Sequence, residues 1–371
     1  MKIGIITFHH SYNCGSMLQA FAMQKALTSL GHVVQIINFS NKGQHELYSI
    51  MEKPTSFKAI IKNVVLLRNQ KTIENNYLSY ERFMHTFFNM DKEVIQDSSD
   101  LTDDGFDCIV AGSDQIWNIT IADSDDAYFL PWVVNARKVA YAPSFGAKNI
   151  ARYSNNPNRY ANLIKSFDSV SIRERNGQKW INELTGLNVP VVLDPTLLLK
   201  LSDYMPLEDN TLQLPKDYIF YYSPGYAGDI NKLVKKVSKR YNMPVIAFNA
   251  KAFYLKGMGV TSNFRLPALE NPSTYLTLIK NARIVFTTSF HGTIFSTLYR
   301  KTFWTVKNGG MFGDDDRVLT LMSTLRLEDR LIPISYNNNF DYLRKPDYSH
   351  YEDNLSEPRK RSWAFLEQAL A

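Results

Sequence analysis

Cysteine is almost missing from this chain, which has two, Cys14 and Cys108, in 371 residues. Two thiols make no disulfide framework and are not spaced as a zinc site, and their scarcity fits a reducing compartment. Long apolar runs are missing too: no stretch approaches the ~18 consecutive apolar residues of a membrane-spanning helix. The opening Met1-Lys2-Ile3-Gly4-Ile5-Ile6-Thr7-Phe8 is too short an apolar run for a secretory signal and is ended by His9-His10. It reads as a strand rather than a targeting segment, so a soluble, cytoplasmic protein is expected. There is no Walker loop and no Gly-x-Gly-x-x-Gly after a strand, so the common nucleotide fingerprints fail.

What is present is a globular composition, 44% hydrophobic and 21% charged, over a length that suggests two domains. The net charge of +6 points to anionic partners. No basic-aromatic cluster or recognition motif accompanies it, so nucleic acid is not an expected partner. A phosphorylated small molecule explains a mild excess, and so does an anionic membrane surface touched peripherally from the cytoplasmic side.

Residues 2–8, a polar turn, a helix with Ala20, Met23, Leu27 and Leu30 at helical spacing, and the apolar residues 32–39 make a strand–helix–strand unit. Further buried strands are expected at 106–111, 138–142, 169–172 and 189–193, with helices over the sheet in 42–100. Each strand ends in small, polar or charged residues, where open α/β sheets place ligands. A second alternation brings strands at 218–222, 245–248, 283–288 and 303–306. The expected fold is therefore α/β with two doubly wound Rossmann-like domains facing a cleft. Residues 1–200 form the first, 201–216 a linker, 217–345 the second, and 346–371 a helix packing back on the first.

The most informative segment is Ser289-Phe290-His291-Gly292-Thr293, where a buried strand runs into a helix. Unpaired N–H groups and the helix dipole converge there on an anion site. Gly292 admits close approach to backbone, Ser289 and Thr293 add hydroxyls, and His291 can pass a proton near neutral pH. The alternative for His291 is a cap or core residue. Arg173 and Arg317 offer guanidinium forks for a carboxylate or phosphate, although each could be a solvated charge beside Glu174 or the acidic run Asp314-Asp315-Asp316. Asn13 and Gly15 open the first helix, and Ser113, Asp114, Trp117 and Asn118 lie in a stretch after the central strand whose chemistry could grip a sugar, Trp117 being equally readable as core. Cys14 has no visible catalytic partner, and Asp123-Ser124-Asp125, which resembles a metal-nucleotide motif, reads as a solvated loop.

Five motifs together resemble the polysaccharide pyruvyl transferase family: Asn13-Cys14-Gly15-Ser16-Met17-Leu18-Gln19-Ala20, Gly112-Ser113-Asp114-Gln115-Ile116-Trp117-Asn118, Ser171-Ile172-Arg173-Glu174, Leu193-Asp194-Pro195-Thr196 and Ser289-Phe290-His291-Gly292-Thr293. The resemblance implies two lobes in the B-type glycosyltransferase arrangement. It also implies transfer of pyruvate from phosphoenolpyruvate to two hydroxyls of a sugar, in a polysaccharide or its lipid-linked precursor, as a cyclic ketal with release of phosphate. His291 and Arg173 match the family's catalytic histidine and arginine, and Arg317 stands for a downstream basic residue that is often lysine. Ser289, Gly292 and Thr293 would join Arg317 in binding donor, and Asn13, Gly15, Ser113, Asp114, Trp117 and Asn118 would face the acceptor. Phosphoenolpyruvate is a co-substrate, with no cofactor or metal expected, and Asp114 and Asp194 are candidate bases. A nucleotide-sugar glycosyltransferase of the same fold, with Glu270 on the ribose, and a binding protein that consumes no donor are the alternatives.

Overall fold

Strands β3 (Cys108–Ala111), β6 (Ile219–Tyr222), β7 (Val245–Phe248), β8 (Ile284–Thr287) and β9 (Phe303–Val306) are buried at every position. Such unbroken apolar runs belong in parallel sheets covered on both faces. The computed structural model describes residues 1–307 and 316–371. With β1 (Lys2–Ile6), β2 (Val33–Ile36), β4 (Arg137–Ala140), β5 (Ser169–Val170) and β10 (Leu331–Ile332), the strands form two five-stranded sheets, parallel throughout. Their orders are β2-β1-β3-β4-β5 and β10-β9-β8-β6-β7.

The two orders are the same pattern. In each lobe the chain steps outward from its first strand (β1 to β2, β6 to β7), then returns to that strand's other side (β3, β8). The crevice beyond the carboxyl ends, where the winding reverses, is the place such sheets offer a ligand.

The helix Cys14–Ser29 is buried almost all round its first ten residues, as a helix enclosed between layers must be. It packs against β2 of its own lobe and against the helices Pro272–Asn281 and Phe290–Leu298 of the other. The final helix, Tyr351–Leu370, bridges both lobes. Tyr351 meets Thr297 in the second, while Ser362 accepts the Leu193 N–H and Arg359 donates to the Leu197 carbonyl in the first. The expected strand at 189–193 is reduced to one bridge, Val191 with Ile172. Pro190 has no N–H to extend the ladder. Among the described residues no helix is long and apolar enough to cross a membrane.

Candidate functional site

The two reversal points face each other across a cavity of about 400 Å³. Phe8 and Asp114 line it beyond β1 and β3, Pro224 and Thr288 beyond β6 and β8. At the end of β8, Ser289 takes extended backbone and its Oγ accepts the Gly292 N–H at 3.3 Å, starting the helix Phe290–Leu298. Of the three small residues expected to hold donor, Ser289 reaches the cavity wall and the other two do not. Thr293 turns inward, donating to the Ser289 carbonyl at 3.0 Å and meeting Thr305 Oγ1 at 2.8 Å. Gly292 is a packing requirement, since a β-carbon there would stand 2.3 Å from Thr287 Oγ1.

His291 is 7% exposed, and its Nε2 lies 3.2 Å from Asp194 Oδ2, a residue of the other lobe. Asp194 opens the turn Pro195–Leu197, where its Oδ1 accepts the Thr196 N–H at 3.0 Å and hydroxyl at 2.7 Å. Asp194 Oδ2 also accepts from Arg173 Nη1 at 2.7 Å. One carboxylate oxygen thus ties the second lobe's histidine to the first lobe's arginine, and in a neutral imidazole it assigns the proton to Nε2. Burial alone would raise the Asp194 carboxyl, but His291, Arg173 and Thr196 overcome it and hold the group well below the usual carboxylate range. Asp194 is therefore a fixed anion, unsuited to the role of base.

Arg173 is not an exposed ion pair with Glu174: its side chain is 2% exposed. Its guanidinium lies 4.6 Å from the Phe290 ring centroid and its Nη2 stands 3.7 Å from Asp114 Oδ1. Among the described residues, Nε and Nη2 have no hydrogen-bond partner. Buried, unmet donors on a charged fork are costly unless something else fills them, and a carboxylate or phosphate has the matching geometry. Glu174 sits apart, its Oε1 accepting the Phe145 N–H at 2.9 Å. Burial pushes it up to about 7 against the charges of Arg173 and Arg317. Arg317 begins the helix Arg317–Leu325 and lines the cavity, whereas Gly313, Asp314 and Asp315 lie outside the described residues.

The acceptor-side expectations divide. Asn13 caps the helix Cys14–Ser29 through the Gly15 and Ser16 N–H groups and reaches the cavity, as do Ser16 and Asp114, joined by a 2.5 Å hydrogen bond. Gly15 lies under the His291 ring: a β-carbon there would stand 2.4 Å from Nδ1. Its part is to leave room for the imidazole. Ser113, Trp117 and Asn118 do not reach the cavity wall. Ser113 donates to the Ala142 carbonyl at 2.6 Å, and Asn118 pairs with Thr120 and Gln115. Trp117 is fully buried, stacked on Phe129 at 5.3 Å, with its N–H on the Tyr128 carbonyl. The turn after β3 aims Asp114 and Gln115 at the cavity and sends the next residues into the core.

Two features went unrecognised in the sequence. Asp123 is no solvated loop residue: it is buried and lines the cavity. Burial, with the nearby charge of Asp114 adding to it, pushes its carboxyl up to about 6. Asp125 diverges to cap the turn Asp126–Phe129. Among the described residues no group of three His, Cys, Asp or Glu could hold a metal ion. The second feature is a chamber of about 410 Å³ that continues the cavity past Asn13 and Tyr48, with Tyr12, Tyr77, Tyr80 and Tyr222 in its walls. The i, i+3 spacing of Tyr77 and Tyr80 on the helix Gln70–Phe87 was the available signal. Glu270 lies at its edge, both oxygens accepting N–H groups, from Asn249 at 2.8 Å and Ala250 at 2.9 Å.

The sequence model of a family described as polysaccharide pyruvyl transferase matches residues 13–310, most of the chain. No curated protein matches the sequence. Among solved structures, a complex of S. aureus MnaA with UDP is similar at 12% identity and a TM-score of 0.50, covering 99% of this chain and 91% of that one. The UDP-GlcNAc 2-epimerase of Methanocaldococcus jannaschii follows at 11% identity and 0.46, covering 92% and 95%. E. coli heptosyltransferase WaaC with ADP-2-deoxy-2-fluoro heptose stands at 9% and 0.39, covering 83% and 89%. At such identities the likeness is one of fold, and the two parallel lobes have the B-type glycosyltransferase architecture.

Proposed function

The chain belongs to the polysaccharide pyruvyl transferase family, and from that premise we propose that it moves pyruvate from phosphoenolpyruvate onto two hydroxyls of one sugar, in a cell-surface polysaccharide or its lipid-linked precursor. The family makes it an enzyme with a pyruvate donor and a polysaccharide acceptor. The observation that carries the choice of donor is Arg173, whose buried Nε and Nη2 have no hydrogen-bond partner among the described residues, beside the His291 helix start. Phosphoenolpyruvate presents a carboxylate and a phosphate on one carbon, C2, and Arg173, Arg317 and the helix N-terminus at Ser289 suit both. Both cysteines are free and buried, in keeping with a cytoplasmic setting.

The residues take the following parts. His291, as the imidazolium with Nε2 held by Asp194, delivers its Nδ1 proton to the methylene carbon C3, leaving C2 electrophilic. A sugar hydroxyl adds to C2 as Asp123 accepts its proton. The C2–O bond to phosphate breaks, with the arginines stabilising the departing charge. The second hydroxyl adds to C2 and closes the ketal. Of the two hydroxyl protons, one ends on C3 by way of His291 and the other leaves with phosphate. The tyrosine-lined chamber offers apolar faces against which the rest of the acceptor can stack.

Two tests follow. Arg173→Lys, which keeps the charge but loses the fork, is expected to raise the Kd for phosphoenolpyruvate by about 10–100-fold, read by calorimetry. Unchanged affinity removes Arg173 from the donor site. A base with its pKa raised to about 6 is ionised above that pH, so kcat should fall as pH drops through 6. In Asp123→Asn that limb should vanish and kcat should be lower by about 10²–10⁴-fold at neutral pH. An acid limb that survives the substitution assigns the base elsewhere. The reaction itself is followed by ³¹P NMR: phosphate should appear from phosphoenolpyruvate when a glycan with a suitably spaced diol is added. No phosphate from any 1,2- or 1,3-diol glycan contradicts the reading.

A further inference from the structure

The helix Phe57–Arg68 carries its large apolar residues on the wrong side for a soluble protein. Ala59 and Leu66 are buried against the fold, while Phe57, Ile60, Ile61, Val64 and Leu67 are 47–78% exposed. Their spacing of three and four places them on one stripe, opposite the buried face. Isolated exposed leucines need no explanation, but five large side chains aligned along three turns form a patch that soluble surfaces avoid. Within its own segment the charge has one sign, although Lys53 and Lys62 are paired with Glu46 and Glu52 from outside it. From residue 53 to residue 73 the chain has five basic residues (Lys53, Lys58, Lys62, Arg68 and Lys71) and no acidic one. An apolar stripe flanked by lysine and arginine is the pattern of a helix lying in the plane of an anionic bilayer, aliphatic side chains at the acyl boundary and cations among the phosphates.

We propose that the helix Phe57–Arg68 docks the protein on an anionic lipid surface. The docking does not depend on the pyruvyl transfer reading, because it rests on the stripe and its charge. It bears on that reading through geometry. The helix packs on the helix Ala250–Leu255 of the other lobe, and Ala250, Lys251 and Leu255 line the tyrosine chamber. A bilayer on the stripe would then be separated from the chamber by about the thickness of this one helix.

The test is co-sedimentation with vesicles of phosphatidylcholine containing 30% phosphatidylglycerol, and with vesicles of phosphatidylcholine alone, without donor or acceptor present. The expected result is binding to the anionic vesicles, weakened by salt. Ile61→Glu/Val64→Glu should lower partitioning at least tenfold with an unchanged circular dichroism spectrum, since both side chains face solvent. Lys58→Glu/Arg68→Glu should do the same through charge alone. Failure of the unmodified protein to sediment with anionic vesicles at millimolar lipid overturns the proposal, as does equal partitioning of the apolar double variant. A wild-type dimer that Ile61→Glu/Val64→Glu dissolves, without vesicle binding, gives the stripe to a second copy of the chain. Loss of phosphate release with vesicle binding intact counts against the proposed reaction and leaves the docking in place.

Discussion

Replacing His291 with alanine is expected to lower kcat for phosphate release by about 10³-fold, within the range for a lost general acid, while leaving the fold intact. The imidazole stands at the cavity wall with one nitrogen fixed by Asp194, and no other described side chain in the cavity occupies that position. Its removal does not strand a buried charge, because Asp194 keeps Arg173 at 2.7 Å and the Thr196 bonds. Affinity for phosphoenolpyruvate, which depends on the arginines, should change by less than about tenfold. His291→Gln can keep a hydrogen bond to Asp194 without titrating, and it too should be inactive. Full activity in His291→Gln would make the residue a strut between the lobes, and unfolding of His291→Ala would point the same way. The measurements are phosphate release and circular dichroism on both variants.

A single added methyl group should do nearly as much. Gly15→Ala would place a β-carbon 2.4 Å from His291 Nδ1, 2.6 Å from Cγ and 2.7 Å from Cβ. Those distances are well inside van der Waals contact. The imidazole cannot retreat without leaving Asp194, and the helix behind it is buried from His291 to Leu298. A shift of about 1 Å in a reacting group can cost about 10²-fold, so kcat should fall by about that factor while donor affinity stays within about threefold. The double variant Gly15→Ala/His291→Ala separates this from a general disturbance. If Gly15 acts through the imidazole, the double variant is no slower than His291→Ala alone. Multiplying losses would contradict the assignment, as would a Gly15→Ala enzyme of normal rate.

The sequence made the two sets of parallel strands and the cleft legible because such strands announce themselves as unbroken apolar runs that end in small polar turns. His291 and Arg173 were legible because each follows such a strand in a short motif. Periodicity could not say which way the turns face. Ser113, Trp117 and Asn118 lie in the same turn as Asp114 yet point into the core, and Thr293 turns under its own helix. Asp194 could be read as a motif member and candidate base; its role as the anion holding His291 and Arg173 together needs two lobes in contact across nearly a hundred residues. Asp123 looked like any acidic loop residue, since nothing local in the chain records that the loop folds inward. The apolar stripe at residues 57–67 was written in the sequence but could be read as an ordinary buried face until the fold turned it outward.

Calorimetric titration of the purified protein with phosphoenolpyruvate, UDP and GDP tests the central claim most directly. Binding of phosphoenolpyruvate, lost or weakened in Arg173→Lys, with no heat from either nucleotide, is the result expected of a pyruvyl donor site at Arg173 and His291. Binding of UDP or GDP with none of phosphoenolpyruvate would contradict it and give the cleft to a nucleotide-sugar donor.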